Sequence, residues 1–129
     1  MSDGEGEQIR LTMPATPDLL RVARLTAASL ASRLGFNFDE VEDVKIAVDE
    51  LCFAIVGIRG REGSFTLVYR LEDDRLVIEG VGHFNEPRPR PATSELSSRI
   101  LAAVVDEHEV TDHDGTLRFR LTKRRKAAS

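Results

Sequence analysis

The sequence predicts an α+β fold, a two-layer sandwich in which three helices cover one face of a mixed, mostly antiparallel sheet. Helical apolar spacing occupies three separate stretches, and strict apolar/polar alternation occupies several others. Two polar residues, Asp73 and Asp74, separate one pair of alternating segments at hairpin spacing. Helices and hairpins grouped in this way belong to a sheet with helices segregated to one face. The 129 residues are enough for one core and too few for two. With 41% hydrophobic and 31% charged residues the composition is that of a globular domain, and a formal charge of -4 disfavours direct nucleic-acid binding. No apolar run approaches the roughly 20 residues that span a bilayer, so no membrane partner is expected.

Taken in order, residues 1–7 are small and acidic and are expected to form a disordered lead rather than a signal peptide. Residues 8–124 are expected to form the single domain, and residues 125–129 a mobile tail. Ile9, Leu11 and Met13 alternate with polar neighbours in a half-buried strand stopped by Pro14. Thr16 is placed to cap a helix, Pro17 suits its first position and Asp18 complements its dipole. That helix should run over 17–34, with Leu19, Val22, Ala23, Thr26, Leu30 and Leu34 on its apolar face and Gly35 ending it.

The second helix is the best-patterned stretch of the chain. Asn37 or Asp39 caps it, and Val41, Val44, Val48, Leu51 and Ile55 fall at steps of three and four. On a neighbouring face Asp43, Ala47, Glu50 and Ala54 line up, with Asp49 beside them, so this face is expected to be open to a ligand or partner. Cys52, the single cysteine, should pack as a small apolar residue, and its lack of a partner fits a reducing cytoplasm.

After the glycine-rich turn at 57–63, strands are expected around 65–71 and 76–81. Prolines 87, 89 and 91 exclude regular structure from the next segment, and Thr93 or Ser94 starts a third helix reaching His108, with Leu96, Ile100, Ala103 and Val104 on one face. A short stretch around Val110, a turn at His113, Asp114 and Gly115, and a strand through Leu117, Phe119 and Leu121 complete the order. The basic run from position 123 to 126 reads as a solvated end.

The segment VEDVKIAVDELC, residues 41–52, resembles the second helix of the anti-sigma-factor serine kinases, small regulators of the histidine-kinase-type (GHKL, or Bergerat-type) ATPase superfamily. RVARLTAASLASRLGF, residues 21–36, resembles their first helix, and the element order agrees over residues 9–124. The resemblance implies that fold, here with a shortened lid. It also implies a general base at Glu50 and a magnesium-binding Asn four residues later, where this chain has Ala54. The family expects an Asp within a D-x-G-x-G motif at the end of the strand before the lid, whereas VIEGVGHFN has Gly80 and Gly82 around Val81 and no Asp. An unread adenine amino group in a buried slot costs roughly 1–3 kcal/mol. The phosphate-holding glycines at the third helix are replaced by SELSSRIL.

With those three parts missing, Glu50 has no bound phosphate to act on, and its alternative role is a surface carboxylate paired with Arg59, Arg61 or Lys45. No resident cofactor is expected. What the resemblance implies is a degenerate anti-sigma factor that sequesters a sigma factor in the bacterial cytoplasm, with kinase activity lost. Arg21 and Arg24 would face the sigma factor close to a homodimer interface, and a STAS-type anti-anti-sigma factor would compete for release. Two alternatives stay open. One is an active ATP-dependent serine kinase of the same family, using ATP and magnesium around Glu50 to phosphorylate an anti-anti-sigma partner. The other is a nucleotide or small-molecule sensor, with Arg59 and Arg61, or Arg88 and Arg90, reading phosphates. His108, Asp112, His113 and Asp114 have irregular spacing and turn chemistry, so no metal site is expected there.

Overall fold

The computed structural model describes residues 7–86 and 89–126. The element order is β1 (Glu7–Pro14), a 3-10 turn (Pro17–Leu19), α1 (Leu20–Arg33), α2 (Phe38–Val56), β2 (Gly63–Glu72), β3 (Arg75–Phe84), α3 (Glu95–Val104), β4 (Glu107–His113) and β5 (Thr116–Arg124). This is the expected α+β order of three helices and five strands. Most of the lead and the last three residues, with Pro87 and Arg88, lie outside the described residues, while Glu7 opens β1 and pairs with Leu71.

The sheet runs β1-β2-β3-β5-β4 and every neighbouring pair is antiparallel, so the expected mixed sheet is corrected. The connection through α3 returns β4 in the direction of β3, yet one place further out. The β4–β5 hairpin then fills the gap, and parallel strands never become hydrogen-bonded neighbours. That hairpin turns at Asp114 and Gly115, both with positive φ, the two-residue geometry that an Asp-Gly pair suits.

One face of the sheet is packed. Phe65, Leu67 and Tyr69 of β2, Leu76 and Ile78 of β3, and Leu117, Phe119 and Leu121 of β5 meet Val44, Val48, Leu51 and Ile55 of α2. The α2 stripe is therefore the one its spacing predicts, and its start carries a reciprocal cap: Asn37 Oδ1 accepts from the Glu40 amide and Glu40 Oε1 from the Asn37 amide, each at 2.8 Å.

Two helices differ from expectation. In α1 the buried ridge is Leu20, Ala23, Ala27 and Ala31, while Val22 is exposed. A ridge of alanines lets the helix axis come close to the sheet, and Tyr69 uses that closeness to donate its hydroxyl to Ala23 O at 2.9 Å. Pro17 does begin the turn that leads into α1, but the Thr16 side chain makes no capping bond. Gly35 ends α1 as expected: with φ of 87° its amide bonds Ser32 O, and Phe36 N reaches back to Ala31 O. The third helix stops at Val104 instead of reaching His108, because Val105 turns extended to bury its side chain and Asp106 N bonds Thr122 O in the sheet. Ser94 caps its start through the Ser97 amide, and Leu96 lies exposed.

The basic run is not solvated throughout. Lys123 sits on the inner face of β5, buried, and its ammonium donates to Val104 O at 2.8 Å and Asp43 Oδ2 at 3.2 Å. Strand alternation turns this one lysine inward, where α2 and α3 supply acceptors. Arg125 donates to Leu34 O, and Lys126 N bonds Glu40 Oε2. Among the described residues no helix is long and apolar enough to cross a membrane.

Candidate functional site

The α2 face expected to be open is covered. Ala47 and Ala54 are buried, with Ala54 2% exposed. Small side chains at these positions let α3 and the connection before it sit directly on the helix. The carboxylates on this face find donors there: Asp43 takes Lys123, and Glu50 Oε1 accepts the Ser97 hydroxyl at 2.7 Å. Ala54 O, one of the carbonyls that the helix end leaves without an intrahelical partner, accepts the Ala92 amide at 2.7 Å. The suggested pairings of Glu50 with Arg59, Arg61 or Lys45 are not formed. Lys45 pairs with Glu42, Arg61 pairs with Glu86, and Arg59 is exposed.

The two glycines of β3 serve as seats for rings. A Cβ placed on Gly80 would stand 2.3 Å from the Phe119 ring, and one on Gly82 would stand 2.3 Å from the Phe84 ring. Both glycines are buried, while Val81 points to the other side of the sheet. Phe84 and Phe119 are thus parts of this region that sequence reasoning missed. Their only signal was two aromatic residues with nothing to stack on until the strands were in register.

These residues do not fit a magnesium nucleotide in the observed arrangement. Ala54 offers a methyl group where a metal ligand is needed, the one carboxylate beside Gly80, Glu79, faces the other side of the sheet and pairs with Arg70, and the Ala92 amide is bonded to Ala54 O of α2. Arg61, suggested as a phosphate reader, is turned into the protein, and Arg90 lends its carbonyl to Arg61. No catalytic step follows from such a site.

A second locus lies on the adjoining flank of α2. Pro17, Asp18, Leu20, Arg21 and Arg24 from the first segment meet Asp49, Glu50 and Phe53 of α2 around a groove of about 500 Å³. Arg21, Arg24 and Glu50, singled out separately from the sequence, line this one groove. Arg24 Nη1 lies 3.1 Å from Asp49 Oδ2, and Arg21 Nε donates to Asp18 O at 3.4 Å. Val22 and Leu25 of α1 and Ile46 and Phe53 of α2 are exposed on the same two helices. Glu50 therefore joins the covered face to the groove, one carboxylate oxygen bound to Ser97 and the side chain forming part of the groove wall.

Other titratable groups are structural. Burial pushes the Cys52 thiol well above its ordinary range, and burial does the same to the Tyr69 hydroxyl. Cys52 accordingly packs as the expected inert apolar residue. His113 and Asp114 lie on an exposed turn, and no cluster of potential metal ligands occurs among the described residues.

Comparison with known proteins agrees with this geometry. The profile of the family described as "Histidine kinase-like ATPase domain" matches residues 13–123. The chain is 42% identical over 74 residues to the serine-protein kinase RsbW of Bacillus cereus strain B4264, covering 56% of this chain and 46% of that protein. It is 36% identical over 101 residues to RsbW of Bacillus cereus strain Q1, covering 73% of this chain and 63% of that protein. The first alignment thus spans under half of its relative's length. A crystal structure of the RsbU and RsbW domains of a Mycobacterium tuberculosis protein superposes with a TM-score of 0.73 at 16% identity, covering 95% of this chain and 34% of that one, a likeness of fold alone. The chain belongs to the histidine kinase-like ATPase domain family and, within it, is similar to the RsbW serine-protein kinases.

Proposed function

We propose that this protein is an anti-sigma module that sequesters a stress- or development-type sigma factor by protein–protein binding, without nucleotide-dependent phosphorylation. The observation that carries the reading is the groove between the start of α1 and α2. There Arg21 and Arg24 stand with Pro17, Leu20 and exposed Phe53, a mixture of arginine and apolar side chains typical of the anchoring centre of an interface, and exposed Val22 and Leu25 lie on the same helix as the two arginines. The closed α2 face supports the second half of the reading, since its carboxylates and carbonyl are already satisfied by Ser97, Lys123 and Ala92. Residues 8–124 act as the functional unit, as a homodimer in the cytoplasm, and release comes from competition by a STAS-type anti-anti-sigma factor.

Two titrations test the reading. Calorimetry with Mg-ATP should give no heat at protein concentrations that reveal weak sites. A dissociation constant below about 100 μM, roughly -5.5 kcal/mol, would move the serine-kinase reading, with Glu50 as base, to first place. Binding of purified sigma factors should be lost in Arg24→Glu; retention of full affinity by that variant rejects the groove as the docking surface.

A further inference from the structure

The helices cover only one face of the sheet. Tyr69, Ile78 and Leu121 turn inward to them, so the residues that alternate with these point the other way. Strand register sets Arg10, Val68, Glu79, Arg120 and Glu109 in one outward row across the five strands. Thr66, Val81, Arg118 and Thr111 stand in the next row. Together these two rows line a trough of about 430 Å³.

The charges of the trough are out of balance. Arg10, Arg118 and Arg120 are exposed and form no ion pair among the described residues. Glu79 is already taken by Arg70, and Glu109 stands opposite Arg120 in the register without pairing to it. Three arginines thus share the trough with one unneutralised carboxylate, in a chain whose formal charge is -4. Such a local excess of cations attracts an anionic partner.

The placement of the cations selects the kind of anion. Arg10 on β1 and Arg120 on β5 are three strand spacings apart, about 14 Å, with Val68 and Glu79 between them. Cations spread along a row in this way suit several separated anionic groups better than one compact phosphate. An extended polypeptide advances about 3.3 Å per residue with alternating side chains, so carboxylates four residues apart lie about 13 Å apart on one side. The side chain midway between them, on that same side, meets half-buried Val68 and Val81. Glu79 and Glu109 repel a strand that carries charge at every unit, which disfavours nucleic acid here.

We propose that the outer face of the sheet docks an extended acidic segment of a partner protein. Two of its carboxylates, four residues apart, meet Arg10 and Arg120, and an apolar side chain between them lies over Val68 and Val81. The surface goes beyond the reading above and does not depend on it, because the α1–α2 groove lies on the opposite side of the sheet.

Amide chemical shifts of the full chain test it, titrated with a synthetic ten-residue peptide that carries two glutamates four positions apart and a valine midway. Shifts should concentrate on Val68, Val81, Arg118 and Thr111 and weaken as salt rises. Replacing both glutamates of the peptide by glutamine should lower affinity on the order of tenfold, and Arg10→Ala or Arg120→Ala should each lower it about threefold. Both arginines are exposed, so these variants should keep the parent's thermal midpoint. Should either lose it, the glutamine peptide on the parent protein decides. Arg24→Glu should leave the titration unchanged, which separates this surface from the groove. Absence of shifts on the sheet, or equal binding of the glutamine peptide, overturns the proposal. So does tighter binding of single-stranded oligothymidylate, or displacement of the peptide by equimolar inorganic phosphate, since either would assign the arginines to phosphate.

Discussion

Ser97, in the first turn of α3, donates its hydroxyl to the Glu50 carboxylate of α2 at 2.7 Å. This contact ties Glu50 to the first turn of α3, so one of its carboxylate oxygens already has a donor. Ser97→Ala removes the donor and should lower stability by about 1 kcal/mol in urea denaturation, the ordinary net value of a hydrogen bond. Glu50→Gln retains an acceptor and should lose less. Equal losses for the two variants would show that charge, not hydrogen bonding, holds the contact.

Arg24 and Asp49 form a half-exposed pair, with 37% and 43% of their side chains accessible. Solvent screens such a pair, so Arg24→Ala should cost only about 0.2–1 kcal/mol of stability. Sigma-factor affinity should fall by on the order of tenfold or more in the same variant, as for a central interface arginine. A melt and a binding titration on one preparation separate the two effects, and a large stability loss with intact binding would reverse the assignment.

Glu40 is 3% exposed and accepts from the amides of Asn37 and Lys126. Burial alone would raise its carboxyl, but the two amides and the charges of Lys123 and Lys126 outweigh burial and leave it below 4.5. The unfolded chain, with the higher value, binds the proton first as pH falls. Stability from Glu40 is therefore fully present above the unfolded value of 4.5 and is lost as pH drops through the folded one. Glu40→Gln should be destabilised by about 1–2 kcal/mol at pH 7. That gap should narrow below pH 4.5 in denaturation curves taken across the acid range.

Gly80 admits the Phe119 ring from the neighbouring strand, and Gly82 admits Phe84. Phe119 is buried in the core, whereas Phe84 is only half-buried. Gly80→Ala should thus cost about 1–3 kcal/mol through overpacking, and Gly82→Ala less, measured as shifts in thermal midpoint. The reverse ranking would mean that Phe84 is the more tightly held ring.

The element order, the buried stripe of α2 and the glycine end of α1 were legible in the sequence because each rests on local spacing, whereas Arg21 and Arg24 were singled out only through the resemblance. A stripe at steps of three and four, a capping Asn37 with Glu40 three residues on, and an Asp-Gly turn specify their geometry within a few residues. Those patterns, with the resemblance of residues 21–36 and 41–52, determined the fold class and the family. Tertiary structure alone decided what covers the second face of α2. Helical spacing places Asp43, Glu50 and Ala54 on one side, but whether that side meets water, a nucleotide or α3 depends on residues 38 to 80 positions away. The same holds for Lys123, which strand register turns inward to Asp43, and for Arg61, whose guanidinium meets the Phe84 ring and the Glu86 carboxylate. Local propensity names the side chains on a face; long-range packing, which must satisfy every buried donor and acceptor at once, decides what that face meets.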